Sequence, residues 1–368
     1  MAQNAVHNYG TIQMHDNALV VFHGNLINDG IFYANLGLCG FYNTQNALTI
    51  SGTSIPVFYD AEIMVDDGLY LDIGVGIRNN ANFVKGNVMI SRSDPLIYMN
   101  YANDAFYTGP DDPNKIDGYA GITNKESFEF PIGDLNRIRP LGIRSMAINP
   151  VASAAYFFED PNSPSTFPMV FDTSLKVDAD LTISTREFWQ LTSTIPSQVT
   201  LSWDAMSQVS EFIDDISEIR VMGWNKALDL WFDLGNTSYT GDLNKGSVTS
   251  SEFLPVDYEI ITLGGNKDNT PVNVINLRNF YLSPNSDGVN DTLIIENLFL
   301  SPNNTLRIYN RYGVMVYEME NYDNLFDGKS NVNMVIKQPD GLAAGIYFYT
   351  IQLKDLNEAH QGFMYISN

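Results

Sequence analysis

Apolar side chains in this chain recur at every second residue and almost nowhere at helical spacing, which confines it to β structure. Leu69, Leu71, Ile73, Val75 and Ile77 alternate with Tyr70, Asp72, Gly74, Gly76 and Arg78, the pattern of a strand with one buried face. Residues 199–203, 306–309 and 314–317 alternate in the same way, 345–353 form a longer strand, and 362–366 form a final one. One stretch after Asp204 spaces Val209, Phe212, Ile213 and Ile216 as a helix would. It is short, and residues 219–222 directly after it read as strand again. The expected class is all-β.

The strands group into three regions. Residues 1–146 hold many short strands interrupted by Asn and Gly, which supply the left-handed corners of a coiled parallel chain: 26–27, then Asn28-Asp29-Gly30, then 31–33; 48–50 before Ser51-Gly52; Asn79-Asn80 before Phe83-Val84. No strict period shows, so a short, irregular β-solenoid-like region is preferred to a sandwich. Residues 109–114, rich in Pro and Asp, read as a surface loop, and 130–140 as a closing segment. Over 147–265 the strands lengthen and all four tryptophans appear (Trp189, Trp203, Trp224, Trp231), as in the core of a central β-sandwich. Residues 266–276 read as a linker, preceded by Gly264-Gly265, and 277–368 are long enough for a domain.

Charge removes several function classes. Against 43 acidic side chains stand 20 basic ones, a net −23. A nucleic-acid binder needs the opposite sign to release phosphate counterions, and docking by charge on an anionic lipid surface fails for the same reason. No run approaches the 18 apolar residues of a membrane-spanning helix. The opening Met-Ala-Gln-Asn-Ala has neither a basic nor an apolar signal region, so the chain is either cytosolic or a mature form. The single cysteine, Cys39, allows no internal disulfide and reads as a small buried hydrophobe.

Residues 283–291 read Ser-Pro-Asn-Ser-Asp-Gly-Val-Asn-Asp; then come Ile308-Tyr309-Asn310-Arg311-Tyr312-Gly313, Phe326-Asp327-Gly328, Leu342-Ala343-Ala344-Gly345-Ile346-Tyr347-Phe348-Tyr349 and a closing Gly362-Phe363-Met364-Tyr365-Ile366. In this order the motifs resemble the gliding-motility-associated C-terminal domain, the type B sorting domain of type IX secretion substrates in Bacteroidota. Tyr312 and Phe326 stand where that family has Trp, and Ala343-Ala344 precede Gly345; both aromatic replacements keep a large apolar ring. The resemblance implies a small Ig-like sandwich, a signal peptide removed earlier, and passage across the outer membrane to the cell surface or beyond. It also implies recognition by the type IX machinery with PorP/SprF-type outer-membrane proteins. The earlier part of the chain is more distantly similar to N-terminal regions of such surface proteins, around 130–133 and 185–189, a likeness that fixes no activity.

Within that frame Ile346, Tyr347, Phe348 and the strand Gly362, Phe363, Met364, Tyr365, Ile366 are the expected sorting and docking residues. Ser283, Asn285, Asp287 and Asp291 have the spacing of oxygen ligands in a calcium loop, with Val289 offering its carbonyl and Gly288 the sharp turn. Ile294 occupies the place of the usual bidentate acid. Two readings therefore stand, a calcium site and an Asx-rich turn bonding its own backbone. His7, His15 and His23 recur every eight residues, but Gly10 and Asp16-Asn17 interrupt the strand that would align them, and solvated or capping roles are preferred. The pairs Asp66-Asp67, Asp111-Asp112, Glu159-Asp160 and Asp214-Asp215 cannot each be a glycosidase pair, because neighbours on a strand face opposite ways. No nucleophile elbow, phosphate loop or metalloprotease motif occurs. Tyr98, Tyr101, Phe106, Tyr107 and Tyr119 mark where a sugar-stacking surface would lie. The reading is a non-catalytic surface protein, an accessory of the machinery or an adhesin, that requires no cofactor. Its partners would be the secretion machinery and a surface polysaccharide or adhesin; the alternative is a secreted carbohydrate-binding or carbohydrate-active protein.

Overall fold

The computed structural model describes residues 5–33, 36–134, 137–266, 275, 277, 280–285, 288–332, 341–356 and 358–367. Strand accounts for 51% of the chain and helix for 4%, so the all-β class holds. Two compact units divide it, residues 1–267 and 268–368.

The N-terminal unit opens with a β-solenoid of about six turns. Each turn lays one short strand on a first face and a second strand on the other, every strand pairing in parallel with its equivalents in the turns before and after. Inward residues stack into apolar columns. Leu26, Ile50, Leu71 and Ile90 lie opposite one another on the first face and are all buried. On the second face Phe22 lies opposite Phe41, with rings stacked 5.4 Å apart. Burial of such columns is what holds a coil whose successive rungs pair in parallel. The step from one rung to the next varies, from 16 residues between Ile116 and Ile132 to 28 between Val88 and Ile116. That variation is why no period is visible in the sequence.

Corners are made by asparagine and glycine. Asn28 is fully buried; its amide donates to the carbonyls of Gly30 (3.2 Å) and Ser54 (2.7 Å) and accepts from Asn8 at 2.7 Å. Gly52, one rung on, has φ +122°, and a Cβ there would sit 2.3 Å from the Asn28 carbonyl oxygen. Two sequence readings change here. The alternation from Leu69 to Ile77 is two strands, Leu69–Leu71 and Val75–Lys85, on different faces. The inward parity survives the corner at 72–74. Asn79 and Asn80 lie inside the second of these strands, bonded to Asp60 of the previous rung, and do not break it.

The second face runs on without a gap into the sandwich. Ala120–Thr123 pairs antiparallel with Ala152–Phe157, and the sheet continues through Phe188–Ser193, Tyr258–Gly265, Ile219–Asn225 and Leu230–Gly235. A five-stranded sheet built on Leu141–Asn149 and Ser197–Trp203 packs on it through Ile143, Val199, Leu201 and Trp203. Trp189 and Trp203 sit in that core; Trp224 and Trp231 lie in a second cluster on the opposite side of the large sheet with Phe171 and Phe188. Arg92 ties solenoid to sandwich: its guanidinium reaches Asp117 at 2.6 Å and the carbonyls of Gly133 (2.8 Å) and Tyr156 (2.9 Å). The expected helix at 209–216 is instead three single 3₁₀ turns, Ala205–Ser207, Val209–Glu211 and Ile216–Glu218. Val209, Phe212 and Ile213 are buried as the spacing implied.

The C-terminal unit is built on one five-stranded sheet. Phe280–Leu282 lies parallel to Glu358–Ile366, followed by antiparallel Gly345–Leu353, Asn304–Asn310 and Met315–Glu320. The last strand begins four residues earlier than the sequence suggested, so it includes His360, opposite Ile351.

Candidate functional site

The two central strands of the C-terminal sheet have opposite chemistry on their two faces. Tyr347, Tyr349, Ile351 and Leu353 point inward with Met364 and Ile366, against Leu306, Ile308, Leu293, Ile295 and Phe326. Gly362 lies opposite Tyr349, whose ring crosses it; a Cβ at 362 would come within 2.7 Å of that ring. The Tyr347 hydroxyl donates to the Ala343 carbonyl at 2.8 Å, and burial raises its ionisation above the usual phenol range.

Outward, the same strands present aromatic and aliphatic side chains to solvent. Ile346 lies opposite Tyr365 and Phe348 opposite Phe363. Tyr365 lies in turn opposite Tyr281, their rings stacked 6.0 Å apart at 13°. These five are 43–54% exposed, although each is large and apolar. The patch has a polar border: on the neighbouring strands Arg307 bonds Glu318 at 2.7 Å, and Thr350 and Gln352 continue the outward rows. A contiguous apolar patch with a polar rim on a small sheet is the form of an interaction surface.

The sequence-expected docking residues therefore divide by parity. Ile346, Phe348, Phe363 and Tyr365 form the exposed patch, while Tyr347, Met364 and Ile366 hold the sheet from behind and Gly362 admits a ring. Tyr281 completes the patch and was missed, because a three-residue strand gives too short an alternation to read.

Residues 283–285 and 288–291 are tied by hydrogen bonds within the motif at 283–291. Ser283 donates its hydroxyl to the Val289 carbonyl (3.2 Å) and its N–H to the Asn290 carbonyl (2.8 Å). The Asn285 N–H meets the Ser283 carbonyl at 2.8 Å, and the Gly288 N–H donates to the Asp291 carboxylate at 2.7 Å. Asp287 lies outside the described residues. The Phe-Asp-Gly motif abuts this loop, since a Cβ on Gly328 (φ +77°) would meet Pro284 at 3.1 Å. Behind both, the buried Tyr322 hydroxyl donates to the Leu293 carbonyl (2.5 Å) and accepts the Phe326 N–H (3.1 Å). No sequence signal marked Tyr322, a lone ring outside every motif.

In the N-terminal unit, His7 bonds Asp29 at 2.6 Å and holds that carboxyl below the usual range, while His23 meets the Tyr42 carbonyl at 3.0 Å. Among the described residues no group of three or more His, Cys, Asp or Glu could hold a metal ion. Members of each acidic pair are engaged locally: Asp66 with Lys85, Asp111 with Asn114, Asp112 with the Ile138 N–H, Glu159 with Ser165, Asp160 with Asn162 and Asp215 with Ser217. A groove between solenoid and sandwich is lined by Asp72, Asp117, Asp134 and Glu159. There Arg92 bridges Asp117 (2.6 Å) and Asp134 (3.6 Å), and burial raises the Asp117 carboxyl above its usual range despite that cation. Of the five aromatic residues expected to mark a sugar platform, Tyr101 and Tyr119 are buried, Tyr98 and Tyr107 pack partly into the core, and Phe106 alone is exposed. With four of the five rings buried or half-buried, the stretch presents no row of exposed rings for a sugar to stack on. Cys39 is buried in the coil, and desolvation pushes its thiol far up.

Neither curated proteins nor solved structures yielded a match to the chain. One family model does, the CHU_C type IX secretion signal domain, over residues 275–366. That span holds all five recurring motifs, the apolar patch and the sheet that carries it. The C-terminal part of this chain is thus a type IX secretion signal domain, and the protein is one exported through that system, to the cell surface or beyond.

Proposed function

We propose that this is a non-catalytic surface protein of the gliding and type IX apparatus, held at the outer membrane through the outward face of its C-terminal sheet. The observation that carries this is the row Tyr281, Tyr365, Ile346 with Phe363 and Phe348, exposed on a signal domain whose opposite face is already a closed core. The occupant is an outer-membrane partner of the PorP/SprF type, whose contact would bury rings that water now wets. Residues 1–265 are then the part that acts outside the cell, as an accessory of the machinery or an adhesin. Their strand ladders and self-bonded acidic side chains support a scaffold or binding role over a catalytic one.

The test is protease shaving of intact cells of a type IX-secreting host that express the full chain, a chain ending at 276, or Phe348→Lys with Tyr365→Lys. The full chain should be shaved and the truncated chain protected. The double variant, folded by circular dichroism, should be lost from the surface by at least tenfold. Equal shaving of all three would overturn the docking face and the export role of 277–368 together. Loss for the truncation alone would retain export and overturn the face.

A further inference from the structure

We infer that the outward face of the five-stranded sandwich sheet binds an acidic polysaccharide, with sugar hydroxyls on Thr200, Thr249 and Gln198 and a uronate carboxylate on Arg144. This rests on the reading that residues 1–265 act outside the cell, and gives that part its ligand class. The sheet runs in the order Lys125–Phe130, Leu141–Asn149, Ser197–Trp203, Gly246–Thr249 and Ser238–Gly241. Its inward side chains, among them Ile143, Val199, Leu201 and Val248, belong to the core. The outward ones are neutral and mostly hydroxylic. Gly142, Thr200, Thr249 and Ser238 lie opposite one another in one row, and Ser202, Ser247 and Thr240 in a second. Two recesses open on this face, of about 420 Å³ and about 410 Å³, and Arg144 and Gln198 line both. Each has the size of a small-ligand site, and the shared residues join them into one groove.

No ring lines the groove, so a ligand there is held by hydrogen bonds and charge and not by stacking. Thr200 and Thr249 share one bond between their hydroxyls (2.9 Å), which leaves one O–H proton and lone pairs on both oxygens for a ligand. Gln198 donates its amide to the Ser250 carbonyl at 3.2 Å, and its own carbonyl oxygen has no partner among the described residues. Gly142 keeps the floor low beside them, since a Cβ there would sit 3.3 Å from the Thr200 Cβ. Paired strands stand about 4.8 Å apart, close to the rise of one sugar along an extended glycan, so a row across the sheet meets successive sugars. Charge then selects an acidic one. Arg92, Arg137, Arg139, Arg186 and Arg220 each meet a carboxylate; Arg144 is exposed and meets none among the described residues. In a chain of net −23 this free cation stands where the two recesses join, and its planar guanidinium takes a carboxylate through two parallel hydrogen bonds. Glu126, the one acid on either lining, repels a carboxylate from the rest of the second recess and leaves Arg144 as its seat.

Isothermal titration calorimetry of the purified full chain, with hexagalacturonate and with neutral cellohexaose, tests this. Hexagalacturonate should bind at least tenfold more tightly, and Arg144→Gln should remove that difference. Thr200→Val with Thr249→Val removes both partners of one hydrogen bond and keeps the shape, so the sheet should persist while hexagalacturonate binds at least tenfold more weakly. Leu96→Lys, at an 82% exposed position outside the groove, should leave binding unchanged. Tryptophan fluorescence shows whether the valine pair folds; if it does not, Arg144→Gln, at an exposed position, decides alone. Binding of neither sugar, equal binding of both, or binding indifferent to these substitutions overturns the inference. The purified chain needs neither export nor docking, so failure here and failure of the shaving test are separate results.

Discussion

Tyr322→Phe removes one oxygen from the interior of the C-terminal unit and leaves the ring in place, so no cavity opens. The lost hydroxyl bridges the Leu293 carbonyl at 2.5 Å and the Phe326 N–H at 3.1 Å, in a side chain only 3% exposed. Burial pushes its ionisation well above the usual phenol range, so the donor is present at every working pH. A buried backbone donor and a buried acceptor left unpaired cost about 1–3 kcal/mol each, and part returns because a hydroxyl no longer needs desolvating. The net loss should be about 2–3 kcal/mol. All four tryptophans lie between 189 and 231, so their fluorescence reports the N-terminal unit alone, while far-UV circular dichroism follows both. With a urea slope of about 1–1.5 kcal/mol per molar for a domain of this size, the C-terminal transition should fall by about 2 M. The tryptophan transition should not move. A C-terminal shift under about 0.5 M, or an equal shift in fluorescence, would refute the idea that this oxygen ties the 283–293 segment to the Phe-Asp-Gly turn.

Other outcomes follow from the same geometry. Gly362→Ala should lower the C-terminal midpoint as well, by about 1–3 kcal/mol, because its Cβ would press within 2.7 Å of the Tyr349 ring; Tyr349→Leu should partly rescue it, and no rescue would point to a backbone cause instead. Burial alone would raise the Asp204 carboxyl, but hydrogen bonding and charge from Arg139, the Met206 N–H and Arg137 outweigh it and hold the carboxyl below its usual range. Its stabilisation is therefore full at neutral pH and is lost as pH falls through about 4 and below. Asp204→Asn keeps the turn cap, so it should cost about 1–2 kcal/mol at pH 7 and little at pH 2; a constant gap across that range would contradict the ionic origin. Cys39 should resist a thiol reagent in the folded chain and react on unfolding, and rapid labelling of native protein would show that the coil opens.

What the sequence made legible was whatever repeats over a long strand. Gly345–Leu353 and the end of Glu358–Ile366 announce their parity in the alternation of their residues. Less was readable where the chain turns without changing parity. From Leu69 to Ile77 the alternation is unbroken, yet it spans a corner and two sheets, because inward residues stay inward around a coil. Asn79 and Asn80 carry the composition of a turn and the role of a ladder, since their amides bond Asp60 one rung away, a partner 19 and 20 residues distant. Helical spacing at 209–216 arose without a helix: Val209 is buried from one tight turn, Phe212 and Ile213 from the residues just after it, and Ile216 opens another turn half-buried. Tyr322 could not be found at all: its importance lies in two backbone atoms, and neither has a sequence signature.

The uneven rungs of the coil carry a consequence for how such a chain can change. Between Val88 and Ile116 it accommodates an added strand, Phe106–Thr108, and the loop at 109–114, while the stack above and below keeps its register. Closing a longer loop costs only logarithmically in its length, roughly 0.6 kcal/mol for each doubling. Insertions at these outer bends are thus nearly neutral, whereas a one-residue slip within a rung would turn a column of core side chains toward water. Lineages of this architecture should diverge in length first and in inward residues last, so that kinship outlives any alignable repeat. A peptide tag spliced into the 109–114 bend is the natural place to display cargo on the exported chain.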